Sequence, residues 1–146
     1  MIRVLLDTNV VLDYLLDRAP FADAATAVWE ANRNGQIATY VSAITPVNVF
    51  YIARKLKGSV EAREAVEGLL EECRIAPIDD RVLRDALAFP STDYEDAVQH
   101  ASAVTAQLDF LVTRDPNDYA KASLPVLSPS ALLTRLVNGQ DEDDLA

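Results

Sequence analysis

The stretch VLLDTNVVLDYLL, residues 4–16, interrupts an apolar run with one carboxylate and two small polar residues. The apolar residues before Asp7 are typical of a buried strand, whereas those after Asn9 recur at helical spacing. Asp7 therefore stands between a predicted strand and a predicted helix. Two interpretations are open. The carboxylate caps the helix at a surface turn, or it contributes to a metal site at the end of the strand.

The rest of the chain alternates predicted strands with predicted helices. Short apolar runs indicate the strands, and segments with helical spacing lie between them, in places two helices in succession. This alternation predicts an α/β fold: one domain over residues 1–138, with a central, mostly parallel sheet of four to five strands and helices on both faces. The predicted strands are 2–6, 36–42, 74–79, 109–113 and 124–128.

Several predicted helices begin with a capping signal. Polar residues with short side chains precede the helical spacing, in one case with proline next and in another with glutamate three residues later. The predicted N-caps are Thr45 (before Pro46), Ser59, Asp79 or Asp80, and Thr92 (with Glu95).

The composition excludes several classes of protein. Half of the residues are hydrophobic and four are glycine, which argues against disordered and fibrous chains. The longest apolar runs are too short to cross a bilayer, and no basic and apolar leader precedes the first strand. With a single cysteine, Cys73, these features predict a cytoplasmic protein with no membrane partner.

The chain is strongly acidic, with 23 Asp and Glu residues against 13 Lys and Arg residues. Four of the acids stand in the terminal QDEDDLA, and residues 139–146 are predicted to form an acidic, mobile tail. A nucleic-acid-binding domain normally carries a net positive charge. This chain can therefore bind a polyanion only if cations lie between its carboxylates and the phosphates.

Carboxylates recur where predicted strands end and helices begin. Asp115 follows an apolar strand as Asp7 does, and the carboxyl ends of parallel strands meet at one edge of a sheet. Asp93 and Asp96 are three residues apart at the start of a helix and share a face, which also carries His100. Each has an ordinary alternative: Asp7 as a helix cap, Asp93 as a favourable first-turn charge, and Asp115 as a turn residue before proline.

The convergence of these acids predicts a site for a divalent cation. Clustered carboxylates repel one another until a cation neutralises them. Mg²⁺ and Mn²⁺ suit such a site because they take oxygen ligands, bind a few carboxylates together with substrate phosphate, and can activate water for attack on a phosphodiester. No His/Cys cluster favours Zn²⁺. The residues interpreted as packing residues, rather than as a general base or a platform for bases, are His100, Tyr40, Phe50 and Tyr51.

Three segments resemble the motifs of PIN-domain ribonucleases, and most closely those of the VapC-like toxins of type II toxin–antitoxin systems: LLDTNVVLDYLL, DYEDAVQHASA and LVTRDPNDY. The resemblance extends from Ile2 to about Val137, in the same order. It implies a PIN-like fold, cleavage of RNA phosphodiester bonds with Mg²⁺ or Mn²⁺, and an antitoxin partner. By motif position, it implies catalytic and metal-binding roles for Asp7, Asp96 and Asp115, and supporting roles for Thr8, Asn9, Thr113, Asp93 and Asp118.

One position departs from the motif. Many members of the family carry glutamate in the helix after the second strand, where this chain has Asn48. An amide oxygen can bind Mg²⁺ but brings no charge, so metal affinity falls unless Asp93 or Glu95 compensates. Asn48 is interpreted as a site-lining residue, with helix capping as the alternative. The alternative function is a catalytically weak or inactive PIN-fold module that binds protein or RNA.

Two further expectations concern the fold class and the assembly. An unrelated α/β phosphatase or receiver domain would also place an aspartate after a strand, but the commonest phosphatase pattern has a second aspartate two residues later, where this chain has Asn9. Apolar residues on the helices between Phe21 and Leu70 exceed what one small sheet can cover. This excess predicts a homodimer.

Overall fold

Five parallel strands form one central sheet in the computed structural model, which describes residues 1–145 and their side chains up to residue 139. The strand β1 pairs with β2 on one side and with β4 on the other, so the apolar run before Asp7 lies at the centre of the sheet. The predicted fold class is confirmed. In the order β3-β2-β1-β4-β5, the strands are β1 (Ile2–Leu6), β2 (Ile37–Ser42), β3 (Arg74–Ala76), β4 (Phe110–Val112) and β5 (Val126–Leu127).

Helices cover both faces of this sheet. Successive residues of β1 point to opposite faces, so each face of the strand packs against a different set of helices. Val4 and Leu6 pack in one apolar cluster with residues of α1, α2 and α7, whereas Leu5 packs in a second cluster with residues of α6. Burial on both faces explains why the last three residues of β1, Val4 to Leu6, are all apolar. The helices are α1 (Thr8–Leu15), α2 (Ala22–Arg33), α3 (Thr45–Lys57), α4 (Ser59–Glu72), α5 (Asp80–Ala88), α6 (Tyr94–Thr105) and α7 (Pro129–Leu145), with a 3₁₀ turn at Pro116–Tyr119.

The helix caps correct three of the four predictions. Asp79 does cap α5, because its carboxylate accepts a hydrogen bond from the backbone N–H of Val82 at 2.9 Å. Thr45 and Ser59 are each the first helical residue, and neither α3 nor α4 has a side-chain cap. The helix α6 is capped by Asp93 and not by a Thr92–Glu95 box. In each of these three helices the N-cap is displaced by one residue from the predicted position, to Ile44, Gly58 and Asp93.

The last helix, α7, continues beyond residue 138 to Leu145. The acidic tail predicted over residues 139–146 therefore starts within this helix. Its charged side chains lie outside the described residues, and its mobility stays a prediction. None of the helices in residues 1–145 has the length and apolar character to span a membrane.

Candidate metal centre

Asp7 is a buried carboxylate at the carboxyl end of the central strand. Its backbone N–H donates to the carbonyl of Val112 in β4 at 2.9 Å, which continues the sheet pairing past β1. Its side chain is only 6% exposed and accepts hydrogen bonds from Thr113 Oγ1 at 2.7 Å and Gln99 Nε2 at 3.2 Å. Asp7 occupies the N-cap position of α1 without a side-chain cap bond, so the capping alternative is wrong. Burial raises the pKa of Asp7, and these hydrogen bonds oppose the rise.

Asp96 faces Asp7 from the first turn of α6. Its Oδ1 accepts a hydrogen bond from the hydroxyl of Tyr119 at 3.1 Å, and its backbone N–H donates to the capping carboxylate of Asp93 at 3.3 Å. Burial, followed by the charges of Asp7 and Asp93, raises the pKa of Asp96 to about 6, with a smaller contribution from Asp118. The carboxyl groups therefore lie close enough to repel, as the sequence predicted.

The two carboxylates line one open cleft of about 320 Å³ between α1, α3 and α6. Glu95 belongs to this cleft and accepts a hydrogen bond from Thr8 Oγ1 at 3.1 Å, which joins α6 to α1. Six of the nine site residues predicted from the sequence lie along the cleft, and Thr113 contacts it through its bond to Asp7. The six are Asp7, Thr8, Asn9, Asn48, Asp93 and Asp96.

Asp115 and Asp118 lie at the other side of this edge, in the loop and 3₁₀ turn after β4. Both residues are exposed, and neither is among the described residues that line the cleft. The charge of Asp118 contributes to the raised pKa of Asp96. Asp115 is connected to the site through its backbone N–H, which donates to Thr113 Oγ1 at 3.3 Å. The charge of Asp118 thus acts on Asp96 in the cleft.

The loop that carries these acids is joined to α1 by an ion-pair cluster that was not predicted from the sequence. Asp13, 1% exposed in its side chain, lies 2.9 Å from both Arg18 Nε and Arg114 Nε. Arg18 Nε donates a hydrogen bond to it, whereas the geometry at Arg114 Nε is that of an ion pair without a hydrogen bond. The guanidinium of Arg114 also lies over the ring of Phe21, 4.1 Å from its centroid. Because Arg114 precedes Asp115 directly, this cluster restrains the start of the loop.

Gln99, Tyr119 and Tyr51 are site residues that the sequence reasoning missed. Gln99 is fully buried and donates to Asp7, while its Oε1 has no hydrogen-bond partner among the described atoms. Tyr51 lines the cleft and is 57% exposed, so its interpretation as a core or half-buried residue is wrong. The available signal for Gln99 was its spacing of three residues from Asp96, the same spacing that links Asp96 to Asp93.

His100 was placed on the acidic face of α6, and the structure places it elsewhere. Its ring stacks on Phe89 with 4.1 Å between the ring centroids, and its Nε2 accepts a hydrogen bond from the backbone N–H of Ser123 at 3.1 Å. Burial lowers the pKa of His100. The interpretation as a packing residue agrees with these contacts.

The donors of the cleft fit a hard divalent cation in their chemistry. Carboxylate and amide oxygens predominate, and the raised pKa of Asp96 marks a negative potential that a cation would relieve. Among the described side chains, no three of the Asp, Glu, His or Cys type are arranged as a ready-made metal shell. Mg²⁺ does not need one, since it keeps several water ligands and binds through one or two carboxylates together with phosphate. Asp7 and Asp96 are the residues that fit this role.

The sequence pattern of a known family accounts for this arrangement. The family model of the PIN domain matches residues 3–117, a segment that runs from β1 into the 3₁₀ turn after β4. This chain belongs to the PIN-domain family. The predicted recognition is confirmed, and the phosphatase and receiver alternatives are excluded. Among curated proteins, none matches the sequence of this PIN domain.

Solved structures of toxins share this fold at low sequence identity. A toxin–antitoxin complex from Klebsiella pneumoniae has 24% identity and a TM-score of 0.65, over 86% of this chain and 97% of the other. The DNA-bound VapBC of Salmonella typhimurium has 17% identity and a TM-score of 0.69, over 88% and 99%. The VapC20 toxin of Mycobacterium tuberculosis, which cleaves the sarcin–ricin loop, has 12% identity and a TM-score of 0.66, over 80% and 93%. At these identities, the likeness establishes the fold alone.

Proposed function

We propose that this PIN domain is a metal-dependent endoribonuclease and the toxin of a toxin–antitoxin pair. The observation that carries the proposal is the pair Asp7 and Asp96, whose carboxylates meet at the edge of the sheet with raised pKa values. A pair of repelling acids is destabilising in the absence of a cation, and such pairs recur at functional sites. The choice of RNA as substrate is supported by the VapC20 toxin, which shares the fold and cleaves the sarcin–ricin loop.

In the proposed mechanism, Asp7 and Asp96 are the residues that would hold Mg²⁺ or Mn²⁺. Such a cation would supply a polarised water and would neutralise charge on the phosphodiester. Thr113 and Gln99 hold the carboxylate of Asp7 in one orientation through their hydrogen bonds, and Tyr119 does the same for Asp96. Such second-layer hydrogen bonds orient ligands and raise metal affinity. Asp115 is proposed as a third metal-binding residue on the basis of the sequence motif alone. Asp118 is proposed as a supporting residue on the same basis.

Basic residues of α3 are the proposed contacts to the RNA backbone. Arg54, Lys55 and Lys57 are exposed at the end of this helix. Arg54 lies over the ring of Tyr51, with 5.3 Å between the guanidinium carbon and the ring centroid, and Tyr51 lines the acidic cleft. The helix thus brings positive charge to the margin of a negative cleft. Such charges provide phosphate contacts that do not depend on sequence.

Asn48 supports a second candidate function, a catalytically weak or inactive module that binds protein or RNA. Its amide lines the cleft where the motif carries an acid. The side chains of Asp93 and Glu95 lie along the same cleft and supply negative charge from α6. Glu95 already accepts a hydrogen bond from Thr8, so compensation for the missing acid is incomplete unless that bond rearranges.

The deciding experiment is RNA cleavage in the presence of Mn²⁺ or Mg²⁺. Asp7→Asn and Asp96→Asn are expected to remain folded and to lose cleavage. The matched control is Asp85→Asn, an aspartate in an exposed pair with Arg81 on α5, which is expected to cleave as wild type does. If both cleft variants cleave RNA as rapidly as wild type, the nuclease proposal is wrong. A wild type that binds RNA or a partner without cleaving it supports the second candidate.

The proposed protein partners are an antitoxin and a second copy of the chain. Large apolar side chains are exposed on α3 and α4, and a patch of this kind marks an interaction surface. A short gene for a DNA-binding antitoxin beside this one would support the pairing. Light scattering at working concentration tests the homodimer, and a monomer would contradict it. The exposed side chains are Val47, Tyr51, Ile52, Leu56, Val60 and Leu70.

A further inference from the structure

A second cavity, of about 260 Å³, adjoins the acidic cleft. The two share Asn48 and Glu95 as lining residues, so they are contiguous at this boundary. Beyond the boundary, the second cavity changes character and becomes largely apolar, with walls from α3, α5, α6 and the segment after β3. Its apolar lining residues are Ile44, Ile78, Leu83, Tyr94 and Val98.

Tyr94 gives this cavity a fixed aromatic wall. Its hydroxyl donates a hydrogen bond of 2.8 Å to the backbone carbonyl of Leu83, which joins α6 to α5. The residue is nevertheless 46% exposed. A ring that is held at its hydroxyl and open to solvent can stack on a planar ligand with little loss of side-chain entropy. Unstacked RNA bases are bound in this way on aromatic side chains.

The boundary residues provide the polar groups that a base edge requires. Glu95 presents a carboxylate that accepts hydrogen bonds, and the hydroxyl of Thr8 donates to its Oε1 and limits its movement. Asn48 has both an amide donor and a carbonyl acceptor. Carboxylate and amide groups side by side can pair with the Watson–Crick edge of a base, while the apolar walls contact its faces.

We infer that this cavity binds one unstacked nucleobase of the RNA, next to the phosphodiester that is cleaved. The inference rests on the proposed nuclease function and names a determinant of its sequence selectivity. A volume of about 260 Å³ is below the range of about 300–1,000 Å³ that is usual for drug-sized ligands, and it suits one planar ring system. The shared boundary with the acidic cleft places such a base beside a phosphate at the metal centre.

Guanine is the base that fits the boundary best. It presents two adjacent N–H donors and a neighbouring carbonyl on one edge, which match the carboxylate of Glu95 and the amide of Asn48. Adenine and cytosine each offer one amino group on this edge, and uracil offers one N–H. Selection among bases therefore depends on the donors that face Glu95.

The test uses Leu83→Trp, which fills the cavity and keeps the backbone carbonyl that Tyr94 contacts. Leu87→Trp is the matched control, because Leu87 lies one turn further along α5, is 75% exposed and does not line the cavity. Tyr94→Leu serves as a second variant in case Leu83→Trp fails to fold, and thermal melting checks each protein. Two readouts are needed: cleavage of short single-stranded RNAs that differ in one base, and NMR titration with guanosine, adenosine, cytidine and uridine.

Guanosine is expected to shift the methyl signals of Ile44, Ile78 and Val98 in wild type. Leu83→Trp is expected to lose these shifts and to lower kcat/KM by about tenfold for RNA that carries the preferred base, while Leu87→Trp changes neither. If wild type cleaves RNA, Leu83→Trp cleaves it equally well and no nucleoside shifts the methyl signals, the base site is wrong and the nuclease proposal stands. If guanosine binds but no RNA is cleaved, the nuclease proposal is wrong and the base site stands. Larger shifts with another nucleoside would overturn the assignment to guanine.

Discussion

Asp96→Asn is expected to stabilise the metal-free protein while it abolishes cleavage. The substitution removes a negative charge beside Asp7, Asp93 and Asp118, all of which contribute to the raised pKa of Asp96. In the wild type, the hydroxyl of Tyr119 donates a hydrogen bond of 3.1 Å to Oδ1 of Asp96. The amide oxygen of asparagine can still accept this hydrogen bond. The variant therefore removes the cost of burying a charge, which is the largest cause of the raised pKa, and relieves the repulsion by these acids, without loss of the contact that positions the side chain.

The magnitude follows from the pKa of Asp96. A rise from 3.8 to about 6 corresponds to about 3 kcal/mol at about 1.4 kcal/mol per pKa unit. Because Asp96 is partly exposed, solvent screening reduces the expected gain to about 1 kcal/mol. For a domain of this size, 1 kcal/mol corresponds to about 3 °C in Tm.

The sign of the pH dependence is distinctive. Below pH 3.8, Asp96 is protonated in both the folded and the unfolded protein and contributes no difference. As the pH rises from 3.8 to about 6, the unfolded state releases its proton first, so the free energy of unfolding of wild type decreases. The advantage of Asp96→Asn is thus expected to grow over this range and to remain constant up to pH 8.

Urea unfolding of both proteins in EDTA, at steps between pH 4 and pH 8, measures this difference. Addition of Mn²⁺ at pH 8 is expected to stabilise wild type more than Asp96→Asn, because a ligand that binds the folded state raises its stability. Asp85→Asn provides the control for loss of one negative charge at an exposed position. A variant less stable than wild type at pH 8, or one whose advantage is the same at pH 4 and pH 8, would refute the reasoning.

Three further substitutions test separate parts of the site. Asp7→Asn is expected to lower cleavage at least about 100-fold. The variant is expected to stay folded by circular dichroism, because a flipped Gln99 amide can accept a hydrogen bond from the new N–H through its Oε1. An unfolded variant would contradict this expectation. Asn48→Asp adds a carboxylate to the cleft and is expected to tighten Mn²⁺ binding about tenfold, as measured by calorimetry. An unchanged Mn²⁺ affinity would show that residue 48 is remote from the metal. Arg114→Ala removes one of the partners of buried Asp13 and is expected to cost about 1–3 kcal/mol in urea unfolding, with a cost near zero as the contrary result.

The fold could be predicted from the sequence because its strongest signals are local and repeated. The three residues directly before Asp7 are all apolar, as expected where a strand is buried on both faces, and the structure places this strand at the centre of the sheet. The carboxyl ends of adjacent parallel strands then meet at one edge. For this reason Asp7 and Thr113, 106 residues apart, could be assigned to one site, and their side chains are 2.7 Å apart.

The details of the site depend on side-chain directions that the pattern leaves open. Successive helical residues are rotated by about 100°, so Gln99 and His100 are both plausible partners for an acid at Asp96. The structure directs Gln99 to Asp7 and His100 to Phe89. The acids after β4 present the same difficulty, because Asp115 precedes a short 3₁₀ turn at Pro116–Tyr119 and Asp118 lies within it, and the sequence pattern does not predict this turn.

The negative net charge of the chain would favour an inactive module if a metal ion and RNA bound independently of each other. The lining of the cleft indicates that their binding would be coupled. None of the described residues that line it is Lys or Arg, so a phosphate alone meets the charges of Asp7, Asp96 and their acidic neighbours. A cation held by these acids attracts the phosphate, and the phosphate supplies oxygen ligands to the cation. Each therefore raises the affinity of the other by the same factor. Net charge therefore does not distinguish an active enzyme from an inactive module. Asn48 does bear on this question, because an amide in place of an acid would weaken the binding of a cation and, through it, the binding of a phosphate.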